Sequence, residues 1–282
     1  MRIYFHNDSD GRCAGAIAYR AAKVEGVKVE LIEINYKDNV DIEKIKIGEK
    51  IIIVDFSFKP DVMEKVLLLT KNIVWIDHHK TAFEYKYSVE LDGLRDNAYS
   101  GCELAWKYFH GKRPMPRAVE LIGDRDKWSW LFGKETANFN AGLLLYNHQP
   151  KDLIWSTLLN VDDHIPTVHL RKYIINIKEE GKICLKFRDQ FCNDYARGYG
   201  FETVFEGYEC FALGLYMFGS EAFGERIKEY DICLSFAYLG DGWIVGLYSE
   251  KVDVSEIAIK YKGGGHRGSA GFVCEALPFK KR

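Results

Sequence analysis

The sequence predicts an α/β protein: an N-terminal domain on a parallel sheet, joined by a helix to a smaller α/β C-terminal domain, with the active site expected in the cleft between them. Three observations predict it. Ile3-Tyr4-Phe5, Ile51-Ile52-Ile53-Val54 and Ile73-Val74-Trp75-Ile76 are continuous apolar runs of strand length, the pattern of strands buried on both faces of a parallel sheet. Helix-patterned segments alternate with these runs through residues 1–80. Each run gives way at its carboxyl end to acids and imidazoles, in His6-Asn7-Asp8-Ser9-Asp10-Gly11, Asp55 and Asp77-His78-His79, where open α/β sheets carry their ligand sites.

In chain order, Gly11 opens a helix with Ala14, Ile17, Ala18, Ala21 and Ala22 on one face, and Val27–Ile32 reads as a second strand, which together make a βαβ opening. Pro60–Leu67 reads as a helix whose proline suits the first turn. From Ser100 to Asp163 the pattern is mostly helical, with a fourth acidic cluster, Gly123-Asp124-Arg125-Asp126, inside it. A long helix from about Val168 to Tyr195 joins the domains, placed at 1–195 and 196–282. Glu209–Met217, Tyr230–Leu239 and Trp243–Ser249 read as strands, the last two joined as a hairpin by Gly240-Asp241-Gly242. A helix over Val254–Tyr261 then leads to Gly263-Gly264-Gly265-His266-Arg267-Gly268-Ser269.

Composition narrows the classes. With 47% hydrophobic and 28% charged residues and a formal charge of −2, nothing in the global balance draws the chain to nucleic acid or membrane, so polyanion binding has to come from local cations and metal. Seven dispersed cysteines without a Cys-x-x-Cys pair suggest neither a disulfide framework nor a zinc ribbon, and read as reduced core residues of a cytoplasmic protein. Met1-Arg2 runs straight into the first strand, which leaves no room for a signal peptide. No apolar run approaches the roughly 18 residues of a membrane span.

Aspartates and imidazoles without thiolates suit hard to borderline ions such as Mn²⁺ or Mg²⁺. Asp8 and Asp10 alternate along an extended loop and can serve two different ions, with Asp55 on the neighbouring strand bridging them. Two such ions can activate a water and stabilise the attacking and leaving oxygens of a phosphoryl displacement.

With these motifs the chain resembles the DHH phosphoesterase superfamily, named for the sequence seen here as Asp77-His78-His79. The likeness extends through His6-x-Asp8-x-Asp10-Gly11, Asp55, Asp124-Arg125-Asp126-Lys127-Trp128 and the C-terminal Gly263-Gly264-Gly265-His266, which looks like the signature of the DHH-associated domain of nanoRNases, RecJ-type exonucleases and cyclic-dinucleotide phosphodiesterases. It implies His6, Asp8 and Asp55 on one ion, and Asp10, Asp55, His78 and a fourth-motif aspartate on the other. Asp124 and Asp126 both lie within reach, and the Asp-x-Trp context favours Asp126. His79 would face the substrate phosphate, while Asp77 would support the histidine pair. The single residue between His6 and Asp8 sets the chain apart from family II pyrophosphatases, which resemble His-x-x-x-Asp-x-Asp.

The glycine run reads as a phosphate-cradling loop, with Gly264, Gly265, His266, Arg267 and Ser269 as substrate-binding residues. Arg12, just after the metal loop, either joins them or only covers the start of its helix. Ser100-Gly101-Cys102-Glu103 either presents N–H groups to phosphate or is a plain helix cap led by Ser100. Many aromatics stand ready to stack on bases, none of them identified by the sequence.

The expectation is a two-metal, Mn²⁺-dependent phosphodiesterase that converts short RNA or DNA oligonucleotides or linear dinucleotides to mononucleotides, with Asp55, Asp77 and His79 at the chemistry and Mg²⁺ as an alternative ion. The other readings are a cyclic-dinucleotide or small 3′,5′-phosphorylated nucleotide phosphoesterase, or a nucleotide-binding module without catalysis. The expected partners are a short oligonucleotide or nucleotide and no membrane, with a homodimer left open.

Overall fold

A computed structural model describes residues 1–24, 26–160 and 167–282. The chain divides into two compact units, Met1–Cys184 and Leu185–Arg282, whereas the sequence suggests a division at 195/196. In the first unit the elements run β1 (Arg2–His6), α1 (Ser9–Val24), β2 (Glu30–Ile34), β3 (Ile51–Val54), α2 (Pro60–Leu67), β4 (Ile73–Ile76), α3 (Lys80–Glu84), α4 (Gly101–His110), α5 (Arg117–Asp126), α6 (Lys134–Leu143) and α7 (Ile154–Leu158). The helix α8 (Thr167–Tyr199) spans the division. Of the helical stretch expected up to Asp163, residues 161–163 lie outside the described residues.

The first sheet is parallel throughout, in the order β2-β1-β3-β4. Alternate residues of its strands serve two cores. Ile3, Phe5, Ile52, Val54, Val74 and Ile76 pack against α1, α4 and α5, while Tyr4, Ile51, Ile53, Ile73 and Trp75 meet α2 through Met63 and Val66. Burial on both faces is the reason the runs are apolar without alternation. Small side chains, Ala14, Ala18, Cys102 and Ala105, let α1 and α4 pack closely. The chain leaves β1 toward one edge for β2 and returns to the other side for β3, so strand order reverses between β1 and β3, where doubly wound sheets open a ligand crevice. His6 ends β1, and Asp55 follows β3 directly. At the exposed edge, β2 starts at Glu30 and not at Val27, a shift the alternation of Val27–Ile32 did not convey.

The second unit is built on a six-stranded sheet, β5 (Phe201–Phe205), β6 (Tyr208–Leu213), β7 (Ile232–Tyr238), β8 (Trp243–Tyr248), β9 (Gly264–His266) and β10 (Ser269–Cys274), in the order β5-β6-β7-β8-β10-β9. The short helices α9 (Arg226–Glu229) and α10 (Val254–Lys260) accompany it. The expected hairpin through Gly240-Asp241-Gly242 is present as the antiparallel β7–β8 pair. The glycine run departs from the expected loop: Gly264–His266 is a strand, paired antiparallel with Ser269–Gly271. The reason is close approach, because a Cβ on Gly263 would lie 2.1 Å from the Gly271 carbonyl oxygen and one on Gly265, at φ +146°, would lie 2.4 Å from Ala270 Cα. These two glycines let β9 pair tightly, and Gly264, His266, Arg267 and Ser269 stay exposed.

Candidate metal centre

Strand ends, the start of α1 and the end of α5 bring His6, Asp8, Asp10, Asp55, His78, His79 and Asp126 together. Their ligand atoms form three groups, His6–Asp8–Asp55, Asp55–His78–His79 and Asp10–His78–Asp126, each with all its atoms within 4.8 Å of one another. Asp55 and His78 each belong to two groups, so the clusters adjoin. His78 Nε2 lies 3.2 Å from Asp55 Oδ1, 3.4 Å from Asp126 Oδ2 and 3.9 Å from Asp10 Oδ2.

The backbone pays for this convergence at particular positions. Asp55 adopts φ +55°, a left-handed conformation that aspartate tolerates better than most residues. Gly101, at the start of α4, makes space for it, since a Cβ there would stand 2.5 Å from Asp55 Cβ and Oδ1.

Asp10 is buried against the N-terminus of α4. It accepts hydrogen bonds from Ser100 Oγ (2.9 Å), Gly101 N–H (2.6 Å) and Cys102 N–H (3.0 Å), and the helix dipole favours its negative charge. Of the two readings open for this segment, the N–H groups thus go to a carboxylate of the protein, while Ser100 also caps α4 in a reciprocal box with Glu103. Asp77 takes no place among the three groups. It accepts from the N–H groups of His78 (2.8 Å) and His79 (3.2 Å), from His79 Nδ1 (2.7 Å) and from Ser57 Oγ (2.5 Å), which fixes both imidazole-bearing residues. Ser57 escaped the sequence reading, which singled out Ser100 and Gly101 as a helix cap or phosphate site but not as partners of Asp10.

Asp124 requires a correction. The sequence put it within reach of metal, but its carboxylate is turned to the other side of α5, where it accepts from Leu131 N–H (2.8 Å), Phe132 N–H (3.2 Å) and the Thr136 hydroxyl. Two residues along a helix face different ways, and Asp126 is the one directed at His78. Arg12 pairs with Glu33 (2.9 Å) and approaches His148 Nε2 (3.5 Å), so its guanidinium is held by side chains of its own unit. Gly264, Gly265, His266, Arg267 and Ser269 belong to the second unit. A cavity of about 380 Å³ there, lined by α8 and the 221–229 segment, contains none of the motif residues.

The donor set fits divalent cations. Both Asp55 carboxylate oxygens, His78 Nε2 and Asp126 Oδ2 are buried without a hydrogen-bond partner, a costly arrangement unless a cation supplies the missing partner. Burial, then the charges of Asp10, Asp8 and Asp126, push the Asp55 carboxyl well above the usual range. Burial, then Asp10 and Asp8, raise that of Asp126 to about 9. Burial lowers the His78 pKa, keeping its ring neutral as a ligand must be. At His79 burial opposes the charge, but the hydrogen bond and charge of Asp77 outweigh it and raise the pKa. Asp8 is likewise desolvated, yet His6, at 2.8 Å, holds its carboxyl below the ordinary range. Oxygen and imidazole donors without sulfur suit Mg²⁺ or Mn²⁺.

Residues 1–124 match the family model described as the DHH family, N-terminal domain. An uncharacterized protein of Acanthamoeba polyphaga mimivirus is 23% identical over 271 residues, covering 85% of this chain and 57% of the relative, so the chain spans little more than half the length of that relative. Among solved structures, a pGpG-specific phosphodiesterase of Vibrio cholerae aligns over 97% of this chain and 93% of its own, with 14% identity and a TM-score of 0.53. Exonuclease RecJ bound to manganese aligns over 96% and 84%, with 12% identity and a TM-score of 0.52. At these identities the likeness to both structures is one of fold.

Proposed function

We propose, from the match of residues 1–124 to the DHH family, N-terminal domain, that the chain is a two-metal phosphodiesterase converting short oligonucleotides or linear dinucleotides to mononucleotides, with Mn²⁺ as its preferred ion. One observation carries the reading: buried carboxylate and imidazole atoms of Asp55, His78 and Asp126 converge without a hydrogen-bond partner among the described residues. His6, Asp8 and Asp55 would hold one ion and Asp10, Asp55, His78 and Asp126 the other. When bound, such ions supply Lewis-acid activation of water and neutralise charge on phosphoryl oxygens.

The chain's own side chains do the rest. Asp77 fixes the His79 ring through Nδ1, which directs Nε2 away as a donor, and the raised pKa of His79 favours the protonated form that binds a phosphate oxygen. The α4 N-terminus holds Asp10 in place when its neighbours change charge. In the second unit, exposed Gly264, Gly265, His266, Arg267 and Ser269 form the substrate grip. Arg12 is left out of that set because Glu33 holds it. A solved relative in fold is named as specific for pGpG, a linear dinucleotide, which supports the linear reading over the cyclic one.

The test compares hydrolysis of a linear dinucleotide, a 5-mer RNA, a cyclic dinucleotide and pyrophosphate in the presence of Mn²⁺. The linear dinucleotide or 5-mer is expected to turn over fastest. A preference for the cyclic substrate would replace the linear reading, and binding of nucleotide without hydrolysis of any substrate would leave a binding module.

A further inference from the structure

Helix α5 ends at Asp126, and the turn after it closes with two hydrogen bonds, Trp128 N–H to the Arg125 carbonyl (3.1 Å) and Ser129 N–H to the Asp124 carbonyl (3.0 Å). This is the pairing of a Schellman motif, whose left-handed position glycine normally fills because it has no Cβ to strain. Here that position is Trp128, at φ +55°, and Trp130 adopts φ +53° two residues later. A glycine would relieve the strain, so indoles at these two positions call for a reason that lies in their side chains.

Core packing does not provide that reason for Trp128, which is 53% exposed. Its ring is nonetheless held. The Arg125 guanidinium lies 4.1 Å from its centroid, and the Trp130 ring meets it at 5.0 Å and 75°. Arg125 also lies 5.1 Å from the Trp130 ring. A large flat surface, braced by a cation and a second indole and half open to solvent, therefore stands two residues beyond Asp126, whose carboxylate faces His78. Tyr36, another exposed aromatic, is already packed against Phe56, His6 and His79, with ring centroids 4.6–6.0 Å apart.

We propose that Trp128, braced by Arg125 and Trp130, is the platform on which a nucleobase of the substrate stacks. The proposal rests on the reading that the substrate is a nucleotide ester, and it assigns the base contact that the sequence left without a residue. Stacking on an indole accepts any base, because every base offers a π-face, and the guanidinium behind the ring adds to its hold.

The Mg²⁺-loaded protein is titrated with adenosine 5′-monophosphate and with ribose 5-phosphate, which has the same phosphate and no base. Both titrations are read by calorimetry, and dinucleotide hydrolysis is followed in parallel. Trp128→Asn is the main variant, since asparagine tolerates the left-handed conformation, with Trp128→Gly as a second variant that the turn accepts and Trp128→Phe as the conservative rescue. Trp128→Asn and Trp128→Gly are expected to weaken adenosine 5′-monophosphate binding about 5- to 100-fold, to collapse its advantage over ribose 5-phosphate, and to raise KM for the dinucleotide far more than they lower kcat. Trp128→Phe is expected to restore most of the advantage. Parallel losses for both ligands, or none for either, overturn the platform. Failure of the wild-type protein to hydrolyse any dinucleotide, with base-selective binding intact, counts against the enzyme reading and leaves the platform standing.

Discussion

Asp124 and Asp126 carry the same side chain two positions apart and do opposite work, which makes them a clean test at the scale of single residues. Asp126→Asn removes a carboxylate facing His78 and is expected to abolish binding of one of two ions by calorimetry and to lower turnover about 100-fold or more, the upper end of losses even for groups that merely orient a ligand. Asp124→Asn weakens acceptance from the Leu131 and Phe132 N–H groups. It should keep both ions and lose about 1–3 kcal/mol of stability, the scale of hydrogen bonds to a charged group, seen as a lower urea midpoint. Loss of an ion in Asp124→Asn would put that residue back in the centre. At Asp55 the left-handed backbone dictates the probe: Asn suits φ +55° better than Ala does. Asp55→Asn should abolish metal-dependent hydrolysis while the metal-free protein stays at least as stable as wild type, because one of several crowded carboxylates is removed. Wild-type turnover in this variant at saturating Mn²⁺ would contradict the shared role given to Asp55.

At the scale of elements, what burial dictates was readable and what distant pairing dictates was not. Ile51–Val54 and Ile73–Ile76 were legible because two-sided burial leaves a continuous apolar run, and Pro60–Leu67 because proline marks a first turn. In contrast, β5 alternates buried and exposed residues over only five positions, and β9 is two glycines and a histidine, a composition that weakens any strand signal. The cradle for Asp10 joins residues some ninety positions apart, and the choice between Asp124 and Asp126 depends on rotation about the end of α5. No local pattern records the cradle, and only the Asp-x-Trp context favoured Asp126. The β9–β10 hairpin still carries the proposed substrate grip at exposed positions. His266→Ala is expected to lower kcat/KM on a dinucleotide by about one to three orders of magnitude, ~1.4 kcal/mol per tenfold, with both ions retained by calorimetry. If bound Mn²⁺ disappears in this variant, His266 belongs to the metal centre or the fold and the grip is disproved.

For the whole molecule, the metal centre and the residues around it tie stability to pH through two sets of carboxyls with opposite signs. Asp8, Asp77 and Asp124 are held below the ordinary range by their hydrogen bonds, though burial opposes each of them. A depressed carboxyl contributes stability above its unfolded pKa of about 4, and that contribution is lost as pH falls through the folded value. Asp55 and Asp126 are raised, the latter to about 9, chiefly by burial and then by neighbouring carboxylates. In the metal-free protein folded Asp126 therefore keeps a proton that the unfolded chain loses between about pH 4 and 9, so its contribution falls as pH rises across that window, and Asp55, raised as well, acts in the same direction. A divalent ion reverses this: it binds the ionised forms, so its binding expels protons and tightens with pH. Thermal unfolding of the metal-free protein at pH 5, 7 and 9 should show stability declining toward pH 9, and added Mg²⁺ should stabilise little at pH 5 and most at pH 9, by about 2.7 kcal/mol at a hundredfold excess over Kd. Calorimetry in buffers of different ionisation enthalpy should record proton release on Mg²⁺ binding at pH 7. A metal increment independent of pH, with no proton released, would mean that Asp55 and Asp126 are already ionised without metal, and the crowded, cation-dependent centre would have to be given up.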